Sequence, residues 1–218
     1  GTVAAVVGAV ALAAVVAAGP RLLPAGALLA RRGLPAVITL RGLVAAAFFG
    51  AEAFLPLLLS RERGLSPTAA GLVLTGTALT WTLGSWIQGR DRAPSRAVML
   101  RGGSVLITVG VLASGATVVP AVPLAVGVVG WAVTGLGIGM AYPTLSVLTL
   151  QLSPPAEQGA NSAALQIADA LFSAVVLALS GAVFAALITT GSVAFVATTL
   201  ISAACAALAV LVAGRARP

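Results

Sequence analysis

Two carboxylates in this chain stand where carboxylates are costly. Glu52 interrupts FFGAEAFLPLLL (48–59), and Asp169 interrupts SAALQIADALFSAVVLALSGAV (162–183). An ionisable side chain at mid-bilayer costs about 2.5–3.5 kcal/mol on insertion scales, so each marks a functional site unless it is paired away. Phe48, Phe49 and Phe54 flank Glu52, a low-dielectric setting that suits a group taking up and releasing a proton. The competing readings are a structural acceptor pairing with a neighbouring helix, or an acid hydrated near a membrane face. Asp169 has company of its own. Ser162, Gln166, Asp169, Ser173 and Ser180 recur at helical spacing on one narrow face. Such a stripe lines a cavity or forms a polar seam between helices; it does not face lipid tails cheaply. The chemistry within reach of such residues is the uptake and release of a proton.

Bond-making chemistry lacks its parts. The chain has no histidine, five acids and one cysteine, Cys205, inside an apolar run. That leaves no disulfide within the chain, no Cys/His metal cluster and no nucleotide-binding glycine loop, so neither an enzyme nor a cofactor is expected.

The elements that position the two acids follow from composition. Of 218 residues, 60% are hydrophobic and 8% charged, against about 25% charged in soluble domains. This is the composition of a multi-span all-α membrane protein. Seven runs reach or approach the roughly 20 apolar residues a spanning helix needs: 2–18, 42–60, 68–88, 97–119, 123–149, 162–188 and 192–213. Glycine, proline and charge separate them. The chain opens on Gly1 inside an apolar stretch that shows neither the basic start nor the cleavage site of a signal peptide, so its N-terminus is expected to be a cut within something longer. Residues 1–18 are therefore expected to end a preceding helix bundle, with 19–41 an amphipathic linker, 42–213 a six-helix bundle and 214–218 a tail. One ordinary long loop is the competing reading of 19–41.

The net charge of +7 comes from twelve arginines and no lysine. In a soluble protein that balance points to nucleic acid; here the arginines lie between apolar runs, so topology accounts for them. Alternating the spans puts Arg21, Arg31, Arg32, Arg41, Arg90, Arg92, Arg96, Arg101, Arg215 and Arg217 on one side, with Arg61 and Arg63 on the other. The positive-inside rule then places 19–41 and the C-terminus in the cytoplasm and 61–67 outside.

Six spans after a basic linker invite a search for internal symmetry. Residues 56–69, PLLLSRERGLSPTA, and 143–156, PTLSVLTLQLSPPA, match at Pro, Leu and Leu-Ser-Pro with a constant offset of 87. Each Ser-Pro reads as a helix N-cap followed by proline. Gly71, Thr75, Ala78, Thr82, Ser85 and Gly89 form a stripe of small residues suited to close helix approach or to sliding. Trp81, Trp131 and Tyr142 are aromatic walls for an apolar ligand, and Trp86 is a wall or an interface anchor. The runs 2–18, 97–119 and 192–213 contain no acid and, apart from Arg101 near an end, no basic residue.

FLPLLLSRERGLSPTAAGL (54–72), GSWIQGRDRAPSR (84–96), GLGIGMAYPTLSVLTLQLSP (135–154) and QGANSAALQIADALFSAVVLALSGAV (158–183) together resemble the C-terminal half of a major facilitator superfamily (MFS) transporter. The likeness is nearest to the bacterial multidrug:proton antiporter branch. Gly89, Asp91, Arg92 and Arg96 resemble a compressed form of that family's cytoplasmic loop signature. The resemblance implies six helices in a 3+3 inverted repeat, alternating access against an N-terminal half, and residence in the bacterial inner (cytoplasmic) membrane. It implies proton-coupled export of a small apolar or amphipathic molecule, with Glu52 and Asp169 as proton-coupling residues. The cavity would be lined by Phe48, Trp81, Trp131, Tyr142, Gln166 and Ser173. Expected partners are the lipid bilayer, protons, the small-molecule substrate and that other half, and no nucleic acid. The alternative function is a non-transporting assembly or receptor subunit built on the same bundle.

Overall fold

The computed structural model describes residues 19, 22–90 and 94–216. These are all-helical: α1 (Leu34–Glu52), α2 (Leu55–Arg63), α3 (Pro67–Gln88), α4 (Arg96–Ala116), α5 (Leu124–Gln151), α6 (Gln158–Leu187) and α7 (Val193–Ala213), with three short 3-10 turns. Five helical stretches are long and apolar enough to cross a membrane: the α1–α2 rod (Leu34–Arg63), α4, α5, the stretch Pro155–Thr190 that contains α6, and α7. The chain is therefore a membrane protein by helix length and composition. Helix α3 matches the others in length, but Thr68, Thr75, Thr77, Thr80 and Thr82 dilute its hydropathy. The expected run 2–18 lies outside the described residues.

The first span begins at Leu34, eight residues before the sequence reading opened it. Gly33, with a backbone φ of 86°, ends the preceding turn, and Pro35 sits in the first helical turn, where its missing N–H costs nothing. Thr39 and Arg41 had read as linker; both are buried inside α1. Without Arg41, the sequence count of loop arginines becomes nine against two.

The α1–α2 rod is interrupted at Ala53–Phe54 for an identifiable reason. Pro56 has no N–H to give the Glu52 carbonyl four residues back, and its ring crowds that turn. The Phe54 N–H bonds the Ala51 carbonyl instead, tightening the chain locally. Glu52 thus ends α1 at a proline break. Pro143, its counterpart at the offset of 87, stays inside α5. Its missing N–H frees the Gly139 carbonyl, and the Ser85 hydroxyl of α3 donates to that oxygen at 3.3 Å. A neighbouring hydroxyl thereby satisfies a backbone group that lipid would leave bare. Ser85→Ala is expected to lower thermal stability by about 1 kcal/mol, read as a melting shift of the detergent-solubilised protein; an unchanged melt would remove Ser85 from this role.

The two Ser-Pro sites differ. Ser66 caps α3, its hydroxyl accepting from the Ala69 N–H at 3.2 Å. Ser153 does not cap α6: it donates back to the Thr149 carbonyl at 2.6 Å and accepts from Asn161 at 2.9 Å. The doubled proline delays α6 behind a 3-10 turn, Pro155–Glu157, so α6 starts five residues beyond Ser153.

Four contacts fix which helix ends lie together. The Gly33 N–H donates to the Arg215 carbonyl, joining the start of α1 to the end of α7. Arg101 packs its guanidinium over Gly214, and Arg96 bonds Gln151. At the opposite end, Arg63 donates to the carbonyls of Thr117, Val119 and Pro120 at 3.3–3.4 Å, closing the turn between α4 and α5. Arginines Arg96, Arg101 and Arg215 therefore share one end of the bundle with Arg31 and Arg32.

Within the bundle, α1 packs against α6, α7 and α5, α5 packs against α3 and α4, and α4 packs against α7. The α5 contacts run through glycine. A Cβ on Gly84 of α3 would lie 2.9 Å from the Met140 nitrogen, and one on Gly137 would lie 3.0 Å from the Ile107 nitrogen of α4. Apart from Ser85, the small-residue stripe read from the sequence is not this contact face. Gly71, Thr75, Ala78, Thr82 and Gly89 are exposed, whereas Thr77 and Gly84 are buried against α5. The difference is rotational: the seam that docks runs through Ala70, Thr77, Trp81 and Gly84.

Candidate functional site

The polar centre of the bundle is a charge pair between its first and sixth helices. The Arg41 Nε donates to Asp169 Oδ2 at 2.7 Å, with the two side chains 9% and 17% exposed. It is the ion pair found among the described residues. The guanidinium carbon lies 3.5 Å from the centre of the Tyr142 ring, and one Nη reaches toward the Tyr142 backbone carbonyl at 3.5 Å. Three helices, α1, α5 and α6, thus meet on one buried cation. Each element delivers its residue for a local reason. Arg41 lies seven residues into α1, Asp169 eleven residues into α6 and Tyr142 nine residues before the end of α5. At ~1.5 Å per residue the group sits roughly 10–17 Å along the helices from the arginine-rich end. Gly42, beside Arg41, lets α1 approach α6: a Cβ there would lie 2.6 Å from the Phe172 ring and 3.0 Å from the Ala168 carbonyl.

Charge, not polarity alone, makes this arrangement consequential. Taking both ions out of water is costly, and their mutual attraction offsets that cost only while both are present. The Tyr142 face adds cation–π attraction of about 2 kcal/mol for a desolvated cation. The pair therefore ties α1 to α6 through one buried ion pair.

The aromatic candidates do come together. Phe48 stacks on Trp131 with centroids 5.2 Å apart and 19° between planes, and meets Trp81 edge-on at 5.4 Å. Trp81 meets Tyr142 edge-on at 5.4 Å. This cluster continues directly from the Arg41 site through Tyr142. Its members are core rather than open wall: Trp131 is 0% exposed, Phe48 and Tyr142 are buried, and Trp81 is partly buried. Below it a cavity of about 20 Å³ lies at the proline break, lined in part by Phe54, Leu55, Ser114, Trp131 and Thr198.

The remaining candidates separate. Glu52 is partly buried and stands eleven residues beyond Arg41 on the same helix, about 16 Å along its axis, so the two acids occupy different levels. Of the α6 stripe, Gln166 is exposed, Ser162 is partly buried, and Ser173 and Ser180 have buried hydroxyls. Gly89 is exposed at the C-terminal end of α3 and Arg96 opens α4. Asp91 and Arg92 lie outside the described residues. Trp86 is 57% exposed, with the Arg90 guanidinium 4.1 Å over its ring, as an anchor at a helix end would be.

Arg41 falls at the end of the expected 19–41 linker, and the structure places it inside α1. Its signal was present: Arg41, Ala45, Phe48 and Glu52 recur at helical spacing, which puts the cation on the face that carries the aromatic cluster. The sequence matches no known family model and no curated protein.

Proposed function

We propose that this chain is a six-helix half of a secondary membrane transporter of the MFS type, with Asp169 as its exchangeable proton site and Arg41 as the fixed counter-charge. The observation that carries the reading is the buried Arg41–Asp169 pair bridging two long apolar helices, α1 and α6. When Asp169 takes up a proton, its carboxylate no longer holds Arg41, and α6 is released from α1. When the proton leaves, the pair reforms. That converts a proton gradient into relative helix movement, which alternating access requires. Glu52, at the proline break of α1, is a second proton site.

The packing supports a 3+3 arrangement. Exchanging α1–α2 with α5, α3 with α6 and α4 with α7 turns the α5–α3 and α5–α4 contacts into α1–α6 and α1–α7. The α4–α7 and α1–α5 contacts map onto themselves. Pro56 and Pro143 exchange in the same operation. The resemblance to multidrug:proton antiporters adds export of a small apolar or amphipathic molecule, the Phe48–Trp81–Trp131–Tyr142 cluster as its aromatic surface, and a bacterial inner membrane with the C-terminus in the cytoplasm.

In inside-out vesicles carrying the complete gene product, Asp169→Asn is expected to abolish pH-driven movement of a fluorescent dye, and Glu52→Gln to reduce it. If both variants move dye as the parent does, the coupling assignment is wrong. The full burial of Trp131 and Phe48 favours a second reading, a non-transporting assembly or receptor subunit. That reading is selected if the parent protein itself shows no gradient-dependent movement.

A further inference from the structure

We propose that the turn ahead of α1 is a docking site for anionic phospholipid headgroups, with Leu28 and Leu29 inserted in the bilayer interface and Arg31 and Arg32 on lipid phosphates. Three large apolar side chains stand out from this turn: Leu22 is 53% exposed, Leu28 55% and Leu29 68%. Two exposed arginines follow immediately. Apolar bodies next to cations are what an interfacial segment needs, since the headgroup layer offers hydrocarbon below and phosphate beside it.

The height of the turn matches that layer. The α1–α2 rod has 30 residues, about 45 Å at ~1.5 Å each, which exceeds a hydrocarbon core of about 30 Å and reaches both headgroup regions. The Thr39–Ala27 contact sets residues 22–33 beside the first turns of α1, about 7 Å below the rod's first residue, which is where a rod about 15 Å longer than the core crosses the headgroup boundary. Charge complementarity identifies the lipid. Arg31, Arg32, Arg90, Arg96, Arg101 and Arg215 are exposed among the described residues, against one exposed acid near this end, Glu157. A zwitterionic surface leaves that excess unmatched; phosphatidylglycerol or another acidic lipid neutralises it.

The turn is also held in place rather than trailing. The Thr39 hydroxyl of α1 donates to the Ala27 carbonyl, and Ala27 is 1% exposed. Gly33 is tied to Arg215 at the end of α7. Gly26, at a φ of 85°, makes the reversal that the Arg31 stem folds across; a Cβ there would lie 2.6 Å from Arg31 Cδ. Lipid engaged at Leu28–Arg32 therefore bears on the start of α1, seven residues before Arg41. The proposal stands whether or not the bundle transports.

The test places a bimane label at Leu28→Cys, in a Cys205→Ser background, with the complete gene product in nanodiscs. Quenching is compared between nanodiscs holding a fixed fraction of acyl-brominated phosphatidylglycerol and the same fraction of acyl-brominated phosphatidylcholine. At least twofold stronger quenching by the brominated phosphatidylglycerol is expected. Arg31→Gln with Arg32→Gln should remove that excess while leaving the gel-filtration profile unchanged. Equal quenching by the two lipids overturns the proposal. So does no quenching by either, which would mean that protein covers the leucines. A label at Leu29→Cys repeats the reading in case position 28 perturbs the turn.

Discussion

Arg41→Met is expected to cost the protein about 3–5 kcal/mol, because it strands the Asp169 carboxylate among apolar helices. Asp169→Leu should cost a comparable amount less whatever Tyr142 returns by keeping its ring against the guanidinium. The joint variant, Arg41→Met with Asp169→Leu, should come back close to the parent. Both charges are then gone together, and the replacements roughly conserve volume at the contact between α1 and α6. Thermal unfolding of the three detergent-solubilised variants measures this cycle. Strong coupling between the single changes is the expected sign of a buried pair; additive losses would mean that the two charges stabilise the bundle independently. The same joint variant separates stability from function. It should fold as the parent does and show no gradient-driven dye movement, since neither the proton site nor its counter-charge remains.

How far the sequence carried this reading depended on which force set each feature. Span positions came through within a few residues for α3 to α7, because apolar run length is set by the bilayer and appears directly in composition. The start of α1 did not. Pro35 occupies the first turn of the helix inside what the sequence suggested was linker, and Arg41 reads as a loop cation until its partner is known. A charge pair separated by 128 residues leaves no local trace. Only helical spacing with Phe48 and Glu52 hinted that Arg41 faces inward. The aromatic cluster was legible as types and not as a packed unit, since stacking of Phe48 on Trp131 depends on how α1 crosses α5. The small-residue stripe on α3, apart from Ser85, lies on the helix's outer face, and the seam through Ala70, Thr77 and Gly84 meets α5. Two stripes on that helix have similar composition, and only the glycines of α5 decide which one docks.

The largest structural effect is expected at that decision. Gly139 of α5 lies under Trp81 of α3: a Cβ there would stand 2.9 Å from the Trp81 carbonyl carbon and 3.0 Å from its Cα, backbone that cannot rotate aside. Gly139→Val must therefore push α3 off α5. The displacement carries Trp81 away from Phe48 and Tyr142 and withdraws Ser85 from the Gly139 carbonyl that Pro143 leaves free. We expect Gly139→Ala to cost about 1–3 kcal/mol and Gly139→Val to yield no monodisperse protein. Gly71→Ala, with nothing within 4 Å of its added carbon on the outer face of the same α3, should stay within about 0.5 kcal/mol of the parent. Thermal unfolding followed by tryptophan fluorescence reports both quantities, because Trp81 sits at the contact. Equal tolerance of alanine at 71 and 139 would mean that α3 and α5 do not meet backbone to backbone. The aromatic surface beside Arg41 would then be free to open without moving a helix.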